Sequence, residues 1–222
     1  MESYSSEERA GVYRAIRERR DVRSGFAPDA LPQGLLLRLL ASAHQAPSVG
    51  LMQPWRFIII QSRAIREKVF DIFRDASSQE HETYLGERAE VYSRLTLQGI
   101  LTAPLNLCVV CDCESSRGHR LGRHTMPQTA HYSAVCAIQN LWLAARAEGV
   151  GLGWVSILDP ERVKAVLNIP ASMTLVGYFC MGFVQSFGAE PELERAGWER
   201  RLPLEDVLRS ETFDQPWGAI QP

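Results

Sequence analysis

The feature that most limits the fold of this chain is residues 128–148, where apolar side chains occur nearly all the way round a predicted helix. They include Ala134, Val135, Ala137, Ile138, Leu141, Trp142 and Ala145. A helix on the surface of a globular protein normally keeps one polar face. We therefore expect this helix to be buried in a large core or in a subunit interface.

The chain has the length and composition to supply such a core. It has 222 residues, 45% of them hydrophobic, and no linker-like stretch divides it, so we predict a single domain over residues 1–222. The formal net charge is −2, which does not suggest nucleic acid as a partner. No apolar run approaches the roughly 18 residues of a membrane span. We expect a cytoplasmic protein without a membrane partner.

Hydrophobic periodicity divides the chain into alternating helices and strands. Helices are predicted at 7–18, 32–45, 62–74, 128–148 and 160–168, and strands at 55–61, 105–111, 154–158 and 173–184. Glycines 149, 151 and 153 are predicted to form a turn between the long helix and the third strand. These patterns alone indicate an α/β domain.

Two polar segments fall outside this core pattern. Residues 75–97 are charged and carry two tyrosines, which fits either a helical lid over a site or an ordinary exposed helix pair. Residues 187–222 contain four prolines and no clear core strand. We expect this tail to be an arm that lies on another surface, such as a partner subunit.

The cysteines invite a metal or redox interpretation. Cys108, Cys111 and Cys113 lie close in sequence, with two histidines downstream. In a strand, however, Cys111 and Cys113 share one face and Cys108 points to the other, so the three thiolates do not converge. An odd total of five cysteines also argues against a disulfide framework. We interpret them as core residues and predict no metal site.

A cluster of arginines follows the first helix. Arg19, Arg20 and Arg23 place three guanidinium groups within five positions, and each can hold a phosphate through paired hydrogen bonds. Asp21 lies between them and would oppose anion binding. The pattern therefore fits either an anion site or a self-neutralising surface cluster.

Other candidate site residues lie at the ends of predicted elements, where ligand sites are common. They are the loop 47–54, the glycine turn that leads to Ser156, and the pair Arg200-Arg201 in the tail. The glycines do not form the GxGxxG pattern of a dinucleotide site. From the residues alone, we predict an α/β domain with an anion site at the arginine cluster.

Three groups of residues resemble, in order and spacing, the nitroreductase-like flavoprotein family. They are Arg19-Arg20-Asp-Val-Arg23-x-x-Phe26, Ala46-Pro-Ser-x-x-x-x-Gln53-Pro54-Trp55 and Gly149-x-Gly-x-Gly153. The resemblance covers nearly the whole chain. It implies an α+β fold with a central, mostly antiparallel sheet flanked by helices, in a homodimer with an extended C-terminal arm.

The resemblance also implies an FMN site. Arg19, Arg20, Arg23 and Arg201 would hold the phosphate, and the loop 47–54 would contact the flavin from the other subunit of the dimer. The residues implied to bind the flavin are Arg19, Arg20, Asp21, Val22, Arg23, Pro47, Ser48, Gly50, Gln53, Gly153, Ser156 and Arg201.

Two departures from ordinary nitroreductases suggest one branch of the family. Those proteins usually carry Ser or Thr at the position of Asp21 and commonly Asn at that of Leu51. This chain is more similar to the dimethylbenzimidazole synthases, which fragment reduced FMN with O2 to make the lower ligand of cobalamin. That resemblance implies Asp21 as an acid/base group and Ser156 as a hydrogen-bonding partner of the flavin. It also implies a separate flavin reductase that supplies reduced FMN.

Several alternatives remain at this stage. Without the resemblance, Ser156 is interpreted as a serine at a strand end whose hydrogen bonds go to the backbone. The chain also fits an NAD(P)H-dependent nitroreductase or flavin reductase, and a non-catalytic flavin carrier. Steady NAD(P)H oxidation would favour the reductase, and return of unchanged FMN would favour the carrier.

Overall fold

The computed structural model describes residues 3–95 and 99–218. Its centre is a four-stranded sheet in the order β1-β2-β4-β3. The strands are β1 (Trp55–Ile60), β2 (Leu105–Cys111), β3 (Val150–Val155) and β4 (Thr174–Phe183). Each pair of neighbouring strands is antiparallel, so the fold is α+β, as the family resemblance implies. The alternation of helix and strand along the chain therefore does not reflect parallel crossovers.

Helices lie on both faces of the sheet. They are α1 (Ser6–Glu18), α2 (Gln33–His44), α3 (Arg63–His81), α4 (Glu87–Arg94), α5 (Gly99–Thr102), α6 (Thr129–Ala147), α7 (Pro160–Val166), α8 (Glu192–Arg195) and α9 (Leu204–Val207). Within the described ranges, none of them is both long and apolar enough to cross a membrane.

The limits of the predicted helices differ from the structure by one or two residues, except at the end of α3. Helix α3 continues to His81, whereas its predicted end is Arg74. The polar residues after Arg74 form the solvent-facing end of the same helix. Pro32 precedes α2 as its N-cap residue rather than forming its first turn. The hydrophobic pattern locates helices well, but polar ends leave their limits open.

Helix α6 is buried on one side only in the protomer. Its inner face, including Ala137, Ile138 and Leu141, packs in a core with α2 and the sheet. Its outer face is exposed at Tyr132 (55%) and Val135 (40%). The helix predicted at 128–148 is confirmed. Its predicted burial is confirmed for the inner face, and burial of the outer face in a subunit interface stays a prediction.

The sheet separates two hydrophobic clusters, and the cysteines of β2 follow the predicted alternation. Cys111 lies in the cluster under α2 and α6, while Cys108 lies in the cluster on the opposite face. Burial raises the pKa of the Cys108 thiol to about 12, so this thiol stays protonated and unreactive. The side chain of Cys113 turns back toward Cys111, with 3.4 Å between their sulfurs.

The glycine turn is predicted wrongly. Only Gly149 lies in the turn after α6, and β3 already begins at Val150, so Gly151 and Gly153 are strand residues. The strand ends at Val155, which leaves Ser156 just beyond it. The two strand glycines have a packing reason instead of a turning one. A Cβ at Gly153 would lie 2.0 Å from the carbonyl oxygen of Val22, so only glycine lets that segment cross the strand.

Candidate active site

The arginine cluster lies where α1 gives way to an extended segment that runs along β3. Arg19 is the C-cap residue of α1 and has an extended conformation, so the cluster follows the first helix as predicted. Val22 then donates its N–H to the carbonyl of Leu152 at 3.1 Å, and Asp21 pairs with Leu152 as a parallel bridge. The close approach at Gly153 makes this pairing possible. The backbone of β3 therefore fixes the position of the cluster.

Two hydrogen bonds hold the Asp21 carboxylate in place. Its Oδ1 accepts from the backbone N–H of Trp154 at 2.8 Å, and its Oδ2 accepts from Nε of Arg23 at 3.1 Å. The side chain remains 31% exposed. The ion pair with Arg23 is expected if the cluster only neutralises itself. The bond from the Trp154 N–H, however, also fixes the orientation of the carboxylate relative to β3. Asp21 is therefore a fixed, solvent-accessible carboxylate.

The arginines of the cluster have different partners. Arg20 makes four hydrogen bonds to backbone carbonyls, those of Arg17, Arg19, Gly188 and Ala189. A guanidinium has about five N–H donors, so Arg20 keeps little capacity for a ligand. It instead ties the start of the C-terminal tail to the cluster.

Arg19 and Arg201 are different, because their guanidinium groups have no hydrogen-bond partner within residues 3–95 and 99–218. Arg19 lies over the ring of Trp142, 4.7 Å from its centre. Burial lowers the pKa of Arg19, and the positive charges of Arg201 and Arg20 lower it further, against the opposing effect of Asp21. An anion between Arg19 and Arg201 would relieve this repulsion.

A cavity of about 110 Å³ lies among these groups. Four arginines and two carboxylates line it, so its walls carry more positive than negative charge. They are Arg19, Arg20, Arg23, Arg201, Asp21 and Glu192. Arg201, which belongs to the C-terminal tail, therefore lies beside the arginine cluster near the N-terminus. We call this space the arginine cavity.

A second cavity, of about 260 Å³, adjoins the first and shares Arg23 and Leu193 with it. One wall is the end of β3, with Trp154 and Ser156, and the facing wall comes from the segment 77–95. We call it the ring cavity. Neither space reaches the roughly 300 Å³ at which small-molecule pockets begin, but the two joined exceed it.

Ser156 lies in the wall of the ring cavity. Its backbone carbonyl accepts from the N–H of Leu158 at 3.0 Å. Its hydroxyl has no hydrogen-bond partner among the residues that the structure describes. The hydroxyl is therefore available to a ligand. The alternative interpretation, in which the bonds of Ser156 go to the backbone, holds for its carbonyl oxygen and not for its hydroxyl.

The segment 75–97 borders the ring cavity with the end of α3 and with α4; residues 96 and 97 lie outside the described residues. Tyr84 and Tyr92 stand together here, with 5.1 Å between ring centres, and Trp198 of the tail joins them. Burial raises the pKa of Tyr92. Sequence reasoning missed Trp198 and Trp142. The sequence signal for Trp198 is a large aromatic residue in a tail that has no clear core strand.

The loop 47–54 lies apart from both cavities in the protomer. Ser48 Oγ accepts from the N–H of Gln53 at 3.1 Å and so braces the loop. Gly50 has a positive φ and packs against Gly118, whose carbonyl oxygen a Cβ would approach to 2.8 Å. Pro47 is exposed, and Gln53 faces a separate cleft beside His44. Contact of these residues with the flavin of another subunit stays a prediction.

Residues 16–183 match the model of the Nitroreductase family, which is more than half of the chain. The antiparallel four-stranded sheet flanked by helices is the fold of this class. The chain belongs to the nitroreductase family.

The chain is also similar to particular members of that family. It is 46% identical over 201 residues to the 5,6-dimethylbenzimidazole synthase of Rhodospirillum rubrum, covering 90% of this chain and 95% of that protein. It is 43% identical over 203 residues to that of Rhodobacter capsulatus, covering 91% and 98%. Among solved structures, iodotyrosine deiodinase bound to FMN and 3-iodo-L-tyrosine matches with a TM-score of 0.73 and 22% identity, covering 91% of this chain and 100% of that one.

Proposed function

We propose that this protein is a 5,6-dimethylbenzimidazole synthase, which uses O2 to fragment reduced FMN. The observation that carries the proposal is the fixed carboxylate of Asp21 between four arginines, beside a second cavity lined by Ser156, whose hydroxyl has no hydrogen-bond partner among the described residues. A site built only to hold a phosphate has no use for that carboxylate. The identity of 43–46% with synthases over nine-tenths of the chain supports the same function.

The two cavities suit the two ends of FMN. The phosphate would lie in the arginine cavity, where the guanidinium groups of Arg19 and Arg201 are unpaired within residues 3–95 and 99–218 and Arg23 bonds Asp21 through Nε alone. Each charge-assisted hydrogen bond contributes about 1.5–3 kcal/mol. Arg20 would act mainly through the tail that it anchors. The flavin ring would lie in the ring cavity against Trp154, and Val22 and Gly153 would form the backbone behind it.

When bound, reduced FMN would supply the electrons and the carbon skeleton, and O2 would be the oxidant. Asp21 is the residue placed to hold or move a proton, because its carboxylate is fixed at both oxygens yet still exposed. Ser156 would donate or accept a hydrogen bond at the ring. Residues 77–95 would keep bulk water from that end of the site.

We propose further that the working unit is a homodimer, in which the loop 47–54 completes the site of the other subunit. The exposed apolar face of α6 supports this, because an isolated protomer leaves Tyr132 and Val135 in water. A separate flavin reductase would supply the reduced FMN.

The proposal is tested by incubating the protein with chemically reduced FMN in air and assaying 5,6-dimethylbenzimidazole by mass spectrometry. We expect product that depends on protein, on reduction of the flavin and on O2. Parallel samples with oxidised FMN, and with reduced FMN under argon, serve as controls. Recovery of all the FMN unchanged in its carbon skeleton would reject the proposal in favour of a reductase or a flavin carrier.

A further inference from the structure

Two cysteines and a histidine lie together at one edge of the sheet, outside both cavities. Cys111 is the last residue of β2, and Cys113 follows it after one residue. The sulfur of Cys113 lies 3.4 Å from that of Cys111 and 3.2 Å from Nε2 of His131 in α6. None of the three lines the arginine cavity or the ring cavity. We call Cys111 and Cys113 the thiol pair.

The two thiols of the pair are not equivalent. Cys111 is fully buried, and burial raises the pKa of its thiol, so this sulfur stays protonated and unreactive toward a dissolved oxidant. Cys113 is only half-buried. His131 can accept the proton of the Cys113 thiol, and the thiolate is the form that reacts with oxidants. Arg123 donates to the carbonyl of Cys113 at 3.0 Å, which places a positive charge beside the same residue. Cys113 is therefore the thiol that an oxidant would attack first.

The spacing of the cluster suits a bond between the two sulfurs better than a metal ion. Within residues 3–95 and 99–218, no group of three or more His, Cys, Asp or Glu side chains could hold a metal. The 3.4 Å between the sulfurs exceeds the roughly 2 Å of an S–S bond by little enough that rotation of the Cys113 side chain can close it.

The thiol pair adjoins the loop 47–54. Asp112, which separates the two cysteines, donates its N–H to the carbonyl of Pro54 at 2.8 Å. On the side of α6, the hydroxyl of Ser133 accepts from the N–H of Val49 at 3.0 Å. A bond between Cys111 and Cys113 would bend the backbone at Asp112, so it would disturb the support of this loop.

We propose that the thiol pair is a reversible oxidation site, at which hydrogen peroxide forms a disulfide that loosens the loop 47–54. In the first step the Cys113 thiolate attacks one peroxide oxygen. An S–O bond forms, the O–O bond breaks, and the leaving hydroxide takes the proton held by His131 to become water. In the second step the sulfur of Cys111 attacks that of Cys113. The S–S bond forms, the S–O bond breaks, and the thiol proton leaves with the hydroxyl group as a second water. The pair loses two electrons, and the peroxide gains them.

This inference goes beyond the proposed function and needs only a source of peroxide. Reduced FMN that reacts with O2 without being fragmented gives oxidised FMN and hydrogen peroxide, so the proposed function would supply one source. Disulfides of proteins in reducing compartments are commonly transient and redox-sensing, which fits a pair that thiol reductants reopen.

The test treats the reduced full-length chain with about one equivalent of hydrogen peroxide in the absence of flavin. We expect the mass to fall by that of two hydrogens. After denaturation, an alkylating reagent should label Cys108, Cys136 and Cys180 but not Cys111 and Cys113, and dithiothreitol should restore labelling of all five cysteines. Labelling of both members of the thiol pair after peroxide treatment would overturn the proposal.

Four variants assign the steps to residues. His131→Asn removes the base and should slow disulfide formation at least about tenfold. Cys111→Ala should leave Cys113 as a sulfenic acid that dimedone traps. Cys113→Ser should leave Cys111 unoxidised; it changes a half-buried position, so it decides the question if Cys111→Ala does not fold. Cys136→Ser removes an exposed thiol outside the pair and should change nothing. Oxidation of Cys111 in Cys113→Ser at the wild-type rate would contradict the proposed order of attack.

Amide hydrogen exchange gives a readout that two merely structural cysteines would not move. Exchange across the loop 47–54 should rise roughly two- to tenfold in peroxide-treated wild type, as for the loss of one hydrogen bond. It should return to its first value with dithiothreitol and stay constant in peroxide-treated Cys113→Ser. Constant exchange after the disulfide has formed would overturn the link to the loop. Failure of the proposed function is distinct, because these measurements use added peroxide and no flavin.

Discussion

Asp21 is the residue at which local electrostatics and the proposed chemistry conflict. A carboxylate beside a phosphate weakens binding, yet this one lies in the wall of the arginine cavity and is held by Trp154 and Arg23. The bond from the backbone of Trp154 would keep the carboxylate in place if Arg23 turned to a ligand. This position suits a group that transfers protons to or from a bound substrate.

Asp21→Asn is expected to separate binding from chemistry. The amide oxygen can still accept from Trp154, and Arg23 is released from its ion pair. Affinity for reduced FMN should stay the same or rise slightly, because one negative charge is removed near a phosphate of about −1.5 to −2. Formation of 5,6-dimethylbenzimidazole should fall by about two to four orders of magnitude. Flavin affinity and product yield measure the two effects.

Asp112→Asn is the matched control, since Asp112 pairs with Arg56 outside both cavities. It should leave affinity and yield unchanged. Normal product from Asp21→Asn would end the assignment of Asp21 to catalysis and favour a self-neutralising charge cluster.

Arg201→Ala tests the phosphate end of the site. Arg201 lines the arginine cavity and is otherwise unpaired in the described structure, so its loss should cost about 1.5–3 kcal/mol of FMN binding. Riboflavin lacks the phosphate, so its affinity should not change. Titration of the variant with both flavins measures the difference. Arg200→Ala, at a neighbouring exposed position outside the cavity, should bind both as the wild type does; equal losses for both flavins in Arg201→Ala would place the phosphate elsewhere.

At the scale of elements, the site depends on how the segment 19–23 crosses β3. The strand offers its backbone to Val22 and Asp21, and the missing side chain of Gly153 provides the space. Ser156 directly follows Val155, the last residue of β3. One strand therefore sets the positions of both residues to which we assign chemistry.

Gly153→Ala is expected to disturb this crossing. The added Cβ would lie 2.0 Å from the carbonyl oxygen of Val22, so the two backbones must separate. We expect a loss of about 1–3 kcal/mol in the free energy of unfolding, typical of overpacking, together with weaker flavin binding. Urea denaturation and flavin titration check the two effects. Gly11→Ala is the control: its Cβ meets nothing within 4 Å inside α1, so it should stabilise by up to about 1 kcal/mol.

At the scale of the whole molecule, large apolar side chains remain exposed on α6 and along the tail. Tyr132 and Val135 lie on the outer face of α6, and Phe213 and Trp217 project from the tail. Surfaces of this kind usually meet another protein surface. The predicted arm comprises residues 187–222, and the structure describes it as far as residue 218.

We expect the protein to be a homodimer in solution, with twice the 24.9 kDa mass of the chain. Val135→Glu puts a charge on the outer face of α6, so it should shift the protein toward monomer and weaken flavin binding. Light scattering after size exclusion measures the mass. Ala64→Glu adds the same charge to an exposed position of α3 and should leave the dimer intact. A wild-type monomer that binds flavin at full stoichiometry would contradict the expectation.

Local patterns in the sequence determined which segments form helices and strands. Hydrophobic periodicity located α6, β2 and β4 within about one residue of their bounds. Strand alternation also placed Cys108 and Cys111 on opposite faces. These properties depend on neighbours a few positions away, so they can be read from the chain itself. The family resemblance supplied the sheet type and the candidate residues.

Only the tertiary structure decided which distant segments meet. It brings Arg201 to Arg19, turns the donors of Arg20 toward backbone carbonyls, and sets Trp198 against Tyr84. It also shows that Gly153 provides space for Val22 rather than a turn. Nothing in the local pattern separates these alternatives, because a side chain's partner across the fold is fixed by packing and strand order, not by its own neighbours.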